Sequence, residues 1–323
     1  MKSPWFILVL VLLVLVVALV VWLGVMPPSR KESGPTPEPP AAARPTSEVR
    51  IGLVPERNIF ELRQRYLALT RYLSEKLDRP VTVVTVNTYQ AVLQEFAEKK
   101  VDAAFLGSLV AVLAMDRLDA QALVKPVDAQ GRSTYHGVII VKEDSPIRGP
   151  EDLAGRTVAM VRTTTAGDLF PIGLMSKAGV LAQDPPPRLV WVGTHDDVIL
   201  ETLTGRADAG AVKNLRLDAY LAAHPETKLR RLANSAEVPN DALIIRADLA
   251  STLGPVLKAV LIGMDKDPAG AKALSAFGAV RFVDCRPGEF QAVYDGVQEL
   301  GGQWERLGID GPPPKRHAPP PGS

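Results

Sequence analysis

Two stretches of this chain are versions of one another, and that repetition constrains the fold more than any other feature. Residues 83–109 (VVTVNTYQAVLQEFAEKKVDAAFLGSL) lie over residues 189–215 (LVWVGTHDDVILETLTGRADAGAVKNL) without a gap, at a spacing of 106. Eight of the 27 positions are identical: Val84, Val86, Thr88, Val92, Glu95, Asp102, Ala103 and Leu109 recur in the second copy. That copy reads as strand, turn, helix, glycine stop and second strand. Val198, Ile199, Thr202 and Leu203 keep helical spacing, Gly205 follows as the stop, and 207–212 is an apolar run. Thr194 is placed to cap the helix, which puts His195 in its first turn. There, unpaired backbone N–H groups and the positive end of the helix dipole favour an anion. Thr88 and Tyr89 answer Thr194 and His195. Two ordinary α/β units sharing a common pattern are the plainer alternative. The preferred reading is a pair of similar lobes, each offering a helix N-terminus and a polar side chain to one cleft.

The 323 residues have room for two domains and extensions. A net charge of +1 and the lack of a long basic run argue against a nucleic-acid partner. A single cysteine, Cys285, excludes an intramolecular disulfide and a Cys-rich metal site. The four histidines show no HxxxH or HxH spacing, so no zinc site and no other cofactor is expected. His136 and His224 read as surface or packing histidines.

Residues 5–26 are uncharged and almost wholly apolar, and as a helix they would reach about 33 Å, enough to cross a bilayer. Trp5 and Trp22 sit near the ends, where an interfacial belt wants them. A cleaved secretory leader is the alternative. However, Pro27 and Pro28 follow the run and the Ala-x-Ala at 41–43 lies far downstream, so 1–26 is read as an uncleaved N-terminal transmembrane anchor. Residues 27–48, rich in proline, read as a semi-extended tether. The globular part opens with VRIGLV at 49. Helices are expected over 59–77, 248–263, 267–277 and 290–301, and 311–323 reads as a disordered tail.

Strands alternating with helices predict open, mainly parallel sheets with helices on both faces. Ligands bind such sheets beyond the carboxyl ends of the strands. That rule selects residues 55–58, Thr88 and Tyr89, Gly107 and Ser108, Thr163 to Thr165, Thr194 and His195, and Lys213 and Asn214. Most are hydrogen-bond donors, and converging donors with few carboxylates describe an oxyanion site. Three consecutive threonine hydroxyls with backbone N–H groups can each donate to a tetrahedral anion. Each charge–dipole contact contributes about 0.3–1 kcal/mol when exposed, and about 2 kcal/mol in a partly buried site.

With these pieces in order, the chain resembles the substrate-binding components of phosphate, phosphite and phosphonate ABC transporters, a branch of the type II periplasmic binding proteins. The resemblance spans roughly 49–300 and rests on IGLVPE, TYQAVL, VDAAFLG, YHGVIIVKEDSPI, TTTAG, GTHD and GRADAGAV. In that family a Ser-Thr-Ser-Gly turn wraps the phosphonate oxygens. Thr163, Thr164 and Thr165 stand there here, with Ala166 interposed before Gly167. The resemblance also implies binding roles for Tyr89, Tyr135 and His195, and Ser108 after the Gly107 turn joins them as a candidate. Lys213 departs from the acidic or amide-rich segment usual at its position. In the cleft it would favour a more highly charged anion; at a strand end it is equally a solvated lysine.

The expected architecture is α/β and two-lobed, each lobe a mainly parallel sheet flanked by helices, plus the N-terminal transmembrane helix. Lobe one is built from 49–140 and 238–310 and lobe two from 141–237, hinged near Val141 to Ser145 and Ser235 to Asn240. The implied function is capture of a small oxyanion at the periplasmic face of the inner membrane for an ABC permease. A membrane-tethered sensor or scaffold on the same body is one rival. An enzyme is another, although no carboxylate pairs with the histidine, since residues adjacent on a helix, such as His195 and Asp196, point to different faces.

Overall fold

The structure, a computed structural model, describes residues 48–53, 59–86, 88, 91–300 and 302–315. The expected membrane segment 5–26, nearly all of the tether and Tyr89 lie outside the described residues. Among the described residues no helix is long and apolar enough to cross a membrane.

The first part runs β1 (Val49–Leu53), α1 (Ile59–Leu77), β2 (Val81–Thr85), α2 (Ala91–Ala97), β3 (Ala103–Leu106), α3 (Ser108–Leu118) and β4 (Gln121–Val127). A short strand, β5 (Thr134–Tyr135), leads to β6 (Gly137–Lys142) and β7 (Thr157–Val161). A helix then begins as a π turn (Thr165–Leu169) and continues as α4 (Phe170–Lys177). After it come β8 (Arg188–Val192), α5 (His195–Leu203), β9 (Ala209–Lys213), α6 (Asn214–Ala223) and β10 (Leu229–Asn234). The short β11 (Val238–Pro239) returns the chain to β12 (Ala242–Ile245), α7 (Ala247–Ala250), α8 (Leu253–Ile262), α9 (Pro268–Phe277), β13 (Arg281–Asp284) and α10 (Gln291–Glu299). One sheet has the order β13-β4-β12-β3-β1-β2, the other β10-β6-β9-β7-β8, and β5 pairs with β11.

The sequence repeat is a repeat of structure. In the first sheet β1 lies parallel between β2 and β3, with Ile51 opposite Val83 and Ala103. In the second, β7 lies parallel between β8 and β9, with Val158 opposite Leu189 and Ala209, the same two positions 106 residues on. The identities have physical reasons. Thr88 Oγ1 accepts the Ala91 N–H and Thr194 Oγ1 the Asp197 N–H, each capping its helix, both at 3.1 Å. Asp102 accepts the Arg50 N–H at the head of β1, and Asp208 the Thr157 N–H at the head of β7, both at 2.8 Å. Val92, Val198, Ala103 and Ala209 are fully buried.

On the outer face of the first sheet, Leu69 and Leu73 of α1 pack with Leu257, Leu261, Leu274 and the ring cluster of Tyr66, Phe105, Phe277 and Phe282. The corresponding face of the second sheet buries Val138 and Ile140 under Val198, Ile199 and Leu217. A third, continuous core joins the two sheets through Leu109 and Val112 of α3, Leu169, Ile172 of α4, and Val293 of α10. Cys285 belongs to this core, and burial pushes its thiol up to about 12.

Four expectations change. Neither sheet is mainly parallel: only the repeated units β1-β2-β3 and β7-β8-β9 pair in parallel, and the remaining strands, β12, β4 and β13 in the first sheet and β6 and β10 in the second, pair antiparallel. The first crossover was expected near Val141 to Ser145, but β6 already pairs with β9 and β10 of the second sheet, so the sheets are joined earlier, through β5. The single helix expected over 248–263 is two, because Pro255 crowds the carbonyl of Ser251 and a turn intervenes at 251–252. The tail expected to be disordered from Gly311 is held through Lys315. Arg117 of α3 donates to the carbonyls of Asp310 and Pro312, and the Lys315 N–H to Asp116.

Candidate ligand-binding site

The parallel strands deliver their carboxyl ends to one place. Thr163, Thr164 and Thr165 after β7, His195 after β8, Lys213 at the end of β9, Tyr135 on β5 and Gly107 after β3 face a single narrow cavity of about 10 Å³. Five of these come from the second sheet, Gly107 from the first and Tyr135 from the connecting ladder.

The threonine turn is held from behind. Thr163 sits at φ +58°, an uncommon conformation for a β-branched side chain, kept only where the surroundings fix it. Its N–H donates to Asp168 Oδ2 at 2.8 Å, and Trp191 Nε1 lies 3.4 Å from Oδ1. Asp168 has no exposure, and burial raises its carboxyl to about 7 against the lowering pull of these donors and the Arg162 guanidinium. Thr164 is the helix cap: its oxygen accepts the Gly167 N–H and its proton goes to the Val161 carbonyl, both at 3.0 Å. Thr165 accepts the Leu109 N–H at 2.9 Å, which leaves its own proton to give. The three hydroxyls are therefore not equivalent.

His195 is almost wholly buried at the start of α5. Burial first, then the charges of Lys213 and Arg216, hold its imidazole down at about 3, so it is neutral. Its Nδ1 has no partner among the described residues. Asp196 pairs with Arg216 and Asp197 closes the capping box with Thr194, so neither acid serves the imidazole.

Lys213 lies in the cavity wall rather than in solvent. Its side chain is 6% exposed, Nζ lies 3.1 and 3.0 Å from the two oxygens of Asp241, and the Tyr135 ring centroid is 4.4 Å away. Asn214, the next residue, exchanges two bonds with the His136 backbone and so fixes β9 beside Tyr135. Ser108 is not brought to the cavity: its hydroxyl donates to the Pro239 carbonyl at 2.7 Å and ties α3 to β11.

Asp168 and Asp241 were not foreseen. Asp168 follows the threonines by one helical turn in TTTAGD, and a capping acid there is a usable signal. Asp241 sits in NDALIIR, and nothing local connects it with Lys213. The wall thus offers hydroxyls, first-turn N–H groups, a neutral imidazole and an ammonium whose carboxylate partner balances its charge. Among the described residues no group of His, Cys, Asp and Glu is arranged to hold a metal. This is chemistry for holding an anion.

Comparison with known proteins gives the same direction. Residues 51–289 match the family described as ABC transporter, phosphonate, periplasmic substrate-binding protein. The phosphonates-binding periplasmic protein of Escherichia coli K12 is 25% identical over 252 residues, 76% of this chain and 74% of that protein. The phosphate-import protein of Mycolicibacterium smegmatis is 25% identical over 217 residues, 60% of this chain and 67% of that one. Among solved structures, the Prochlorococcus marinus protein PhnD1 in complex with methylphosphonate superposes with a TM-score of 0.67 at 21% identity, covering 79% of this chain and 98% of that one.

Proposed function

The chain belongs to the family of periplasmic substrate-binding proteins of phosphonate ABC transporters, and from that membership we propose that it captures a small phosphorus oxyanion of the phosphonate, phosphite or phosphate type and presents it to an inner-membrane ABC permease. The observation that carries this reading is His195. A buried neutral imidazole with an unpartnered Nδ1, in a wall otherwise made of hydroxyls, amides and an ammonium, costs free energy until a ligand meets it. We assign the oxyanion to Thr163, Thr165, His195 and Lys213, with Tyr135 as a packing wall and Thr164 as the cap that shapes the turn. Tyr89 is kept as the counterpart of His195 from the first copy.

In this reading lobe one comprises 49–133 and 240–310, lobe two comprises 137–234, and β5 with β11 is the hinge. A ligand held by both lobes shifts the population towards the closed form that a permease recognises, and no chemistry is required. Residues 5–26 anchor the body at the periplasmic face of the inner membrane, with 27–48 as tether; the mass of the mature amino terminus tests that part.

The binding claim is tested by calorimetry and thermal unfolding of the full-length protein with phosphate, phosphite, methylphosphonate and sulfate. A ligand at about 100 times its dissociation constant stabilises by about 2.7 kcal/mol, well within reach. Silence towards all four would end the oxyanion reading.

A further inference from the structure

Lys213 is a cation buried where the cavity meets the hinge, and its surroundings are of a particular kind. An aromatic face and a two-oxygen carboxylate are the groups with which proteins recognise a ligand ammonium. Here the face is Tyr135, itself 4% exposed, and the carboxylate is Asp241 at the head of β12. Asp241 takes φ +38°, in the left-handed region, which aspartate visits more readily than most residues. Both groups already hold the ammonium of the chain itself.

We propose that Tyr135 and Asp241 form an ammonium subsite that Lys213 fills from within, which makes Lys213 the residue that sets the class of ligand. Resting on the oxyanion reading of the same cavity, this admits inorganic oxyanions and phosphonates with a short apolar arm. It rejects phosphonates whose arm ends in an amine. An incoming ammonium would find its carboxylate engaged, the aromatic face covered and a like charge alongside. The lysine stem also takes the space such an arm needs.

The test is calorimetry of the full-length protein with methylphosphonate and 2-aminoethylphosphonate. The wild type is expected to prefer methylphosphonate by about 100-fold or more, the scale of an uncompensated like-charge contact. In Lys213→Ala that preference shrinks by about tenfold or more as the subsite opens, and the added replacement Asp241→Asn removes the gained affinity for the amine. Ethylammonium added to Lys213→Ala tightens methylphosphonate binding by refilling the subsite, and does nothing to the wild type. Lys213→Met, which keeps the length and removes only the charge, moves the preference the same way and serves if the alanine variant does not fold. Equal wild-type affinities for the two phosphonates would overturn the proposal without any variant. An unchanged ratio in a folded variant that still binds methylphosphonate would overturn it too, while leaving the oxyanion reading intact. A wild type that binds neither these nor phosphate defeats the oxyanion reading, and this inference with it.

Discussion

The backbone N–H of Leu109 donates to Thr165 Oγ1 at 2.9 Å. Leu109 stands in the first turn of α3, which follows the first sheet, and Thr165 opens the helix that follows β7 in the second. The bond therefore joins the two halves at the cavity and decides what each threonine of the turn can still offer. Thr165 spends an acceptor and keeps its proton, whereas Thr164 spends both.

That difference separates two otherwise similar variants. Thr165→Val removes a donor to a charged ligand and should weaken oxyanion binding by about 10- to 100-fold, and it leaves the Leu109 N–H unpaired. Thr165→Ser should restore both. Thr164→Val loses only a cap, about 0.5–2 kcal/mol of stability, with affinity changed by less than about threefold. Calorimetric titration beside urea unfolding distinguishes them. Equal losses of affinity in the two valine variants would refute the division of labour.

The two perturbed groups of the site predict opposed pH slopes. Asp168 has a folded value of about 7 against an ordinary 3.8, so its contribution to stability is present below 3.8 and lost as pH rises towards 7. His195 is held at about 3 against 6.5, so its contribution is present above 6.5 and lost as pH falls towards 3. Between about 4 and 6.5 the two largely cancel. Asp168→Asn should therefore leave a stability that climbs more steeply with pH than the wild type across that window, and His195→Gln one that declines. Urea unfolding at several pH values reads the slopes directly, and wild-type slopes in both variants would contradict the burial of these groups.

Much of this was legible in the sequence because it is local or periodic. The caps at Thr88 and Thr194, the glycine stop at Gly205 and the strand–helix alternation are short-range patterns, and the repeat carries the sheet order with it. The cleft residues followed from one rule about strand ends, which brought Thr163 to Thr165, His195 and Lys213 together without any knowledge of distances. What escaped depends on partners far along the chain. Whether Lys213 faces water or the cavity is decided by Asp241, 28 residues away, and the hydroxyl of Ser108 by Pro239, 131 residues away. The fate of the Thr164 proton was hidden for a different reason. A capping threonine and a ligand-binding threonine look alike until the carbonyl behind them is seen.

Gly167 belongs to the turn for steric reasons. A Cβ there would lie 2.8 Å from Thr164 Oγ1, 2.9 Å from Val161 Cβ and 3.0 Å from the Val161 nitrogen. Gly167→Ala should therefore cost about 1–3 kcal/mol of stability and shift the turn backbone, which moves the Thr165 donor and so weakens anion binding as loss of the cap alone does not. Gly288→Ala, with nothing within 4 Å, is the neutral control. Thermal unfolding and titration of both would expose the error if Gly167→Ala matched the control.

The C-terminal segment crosses from one half to the other and should govern closure as well as stability. Trp304, Leu307 and Ile309 are buried in the shared core, and Trp304 Nε1 donates to the Gly311 carbonyl at 2.9 Å. On one side Arg162, stacked 3.6 Å from the Trp191 ring centroid, donates to the Arg306 carbonyl; on the other, Arg117 of α3 holds Asp310 and Pro312. Arg117→Ala removes two charge-assisted bonds and should cost about 1–3 kcal/mol. Because the strap spans both lobes, freeing one end also favours more open arrangements, so the oxyanion dissociation constant should rise, through a population shift rather than a lost contact. Limited proteolysis should cut the freed segment first, and saturating ligand should slow the cutting. If Arg117→Ala lowers stability but leaves affinity unchanged, the strap braces the fold without biasing closure.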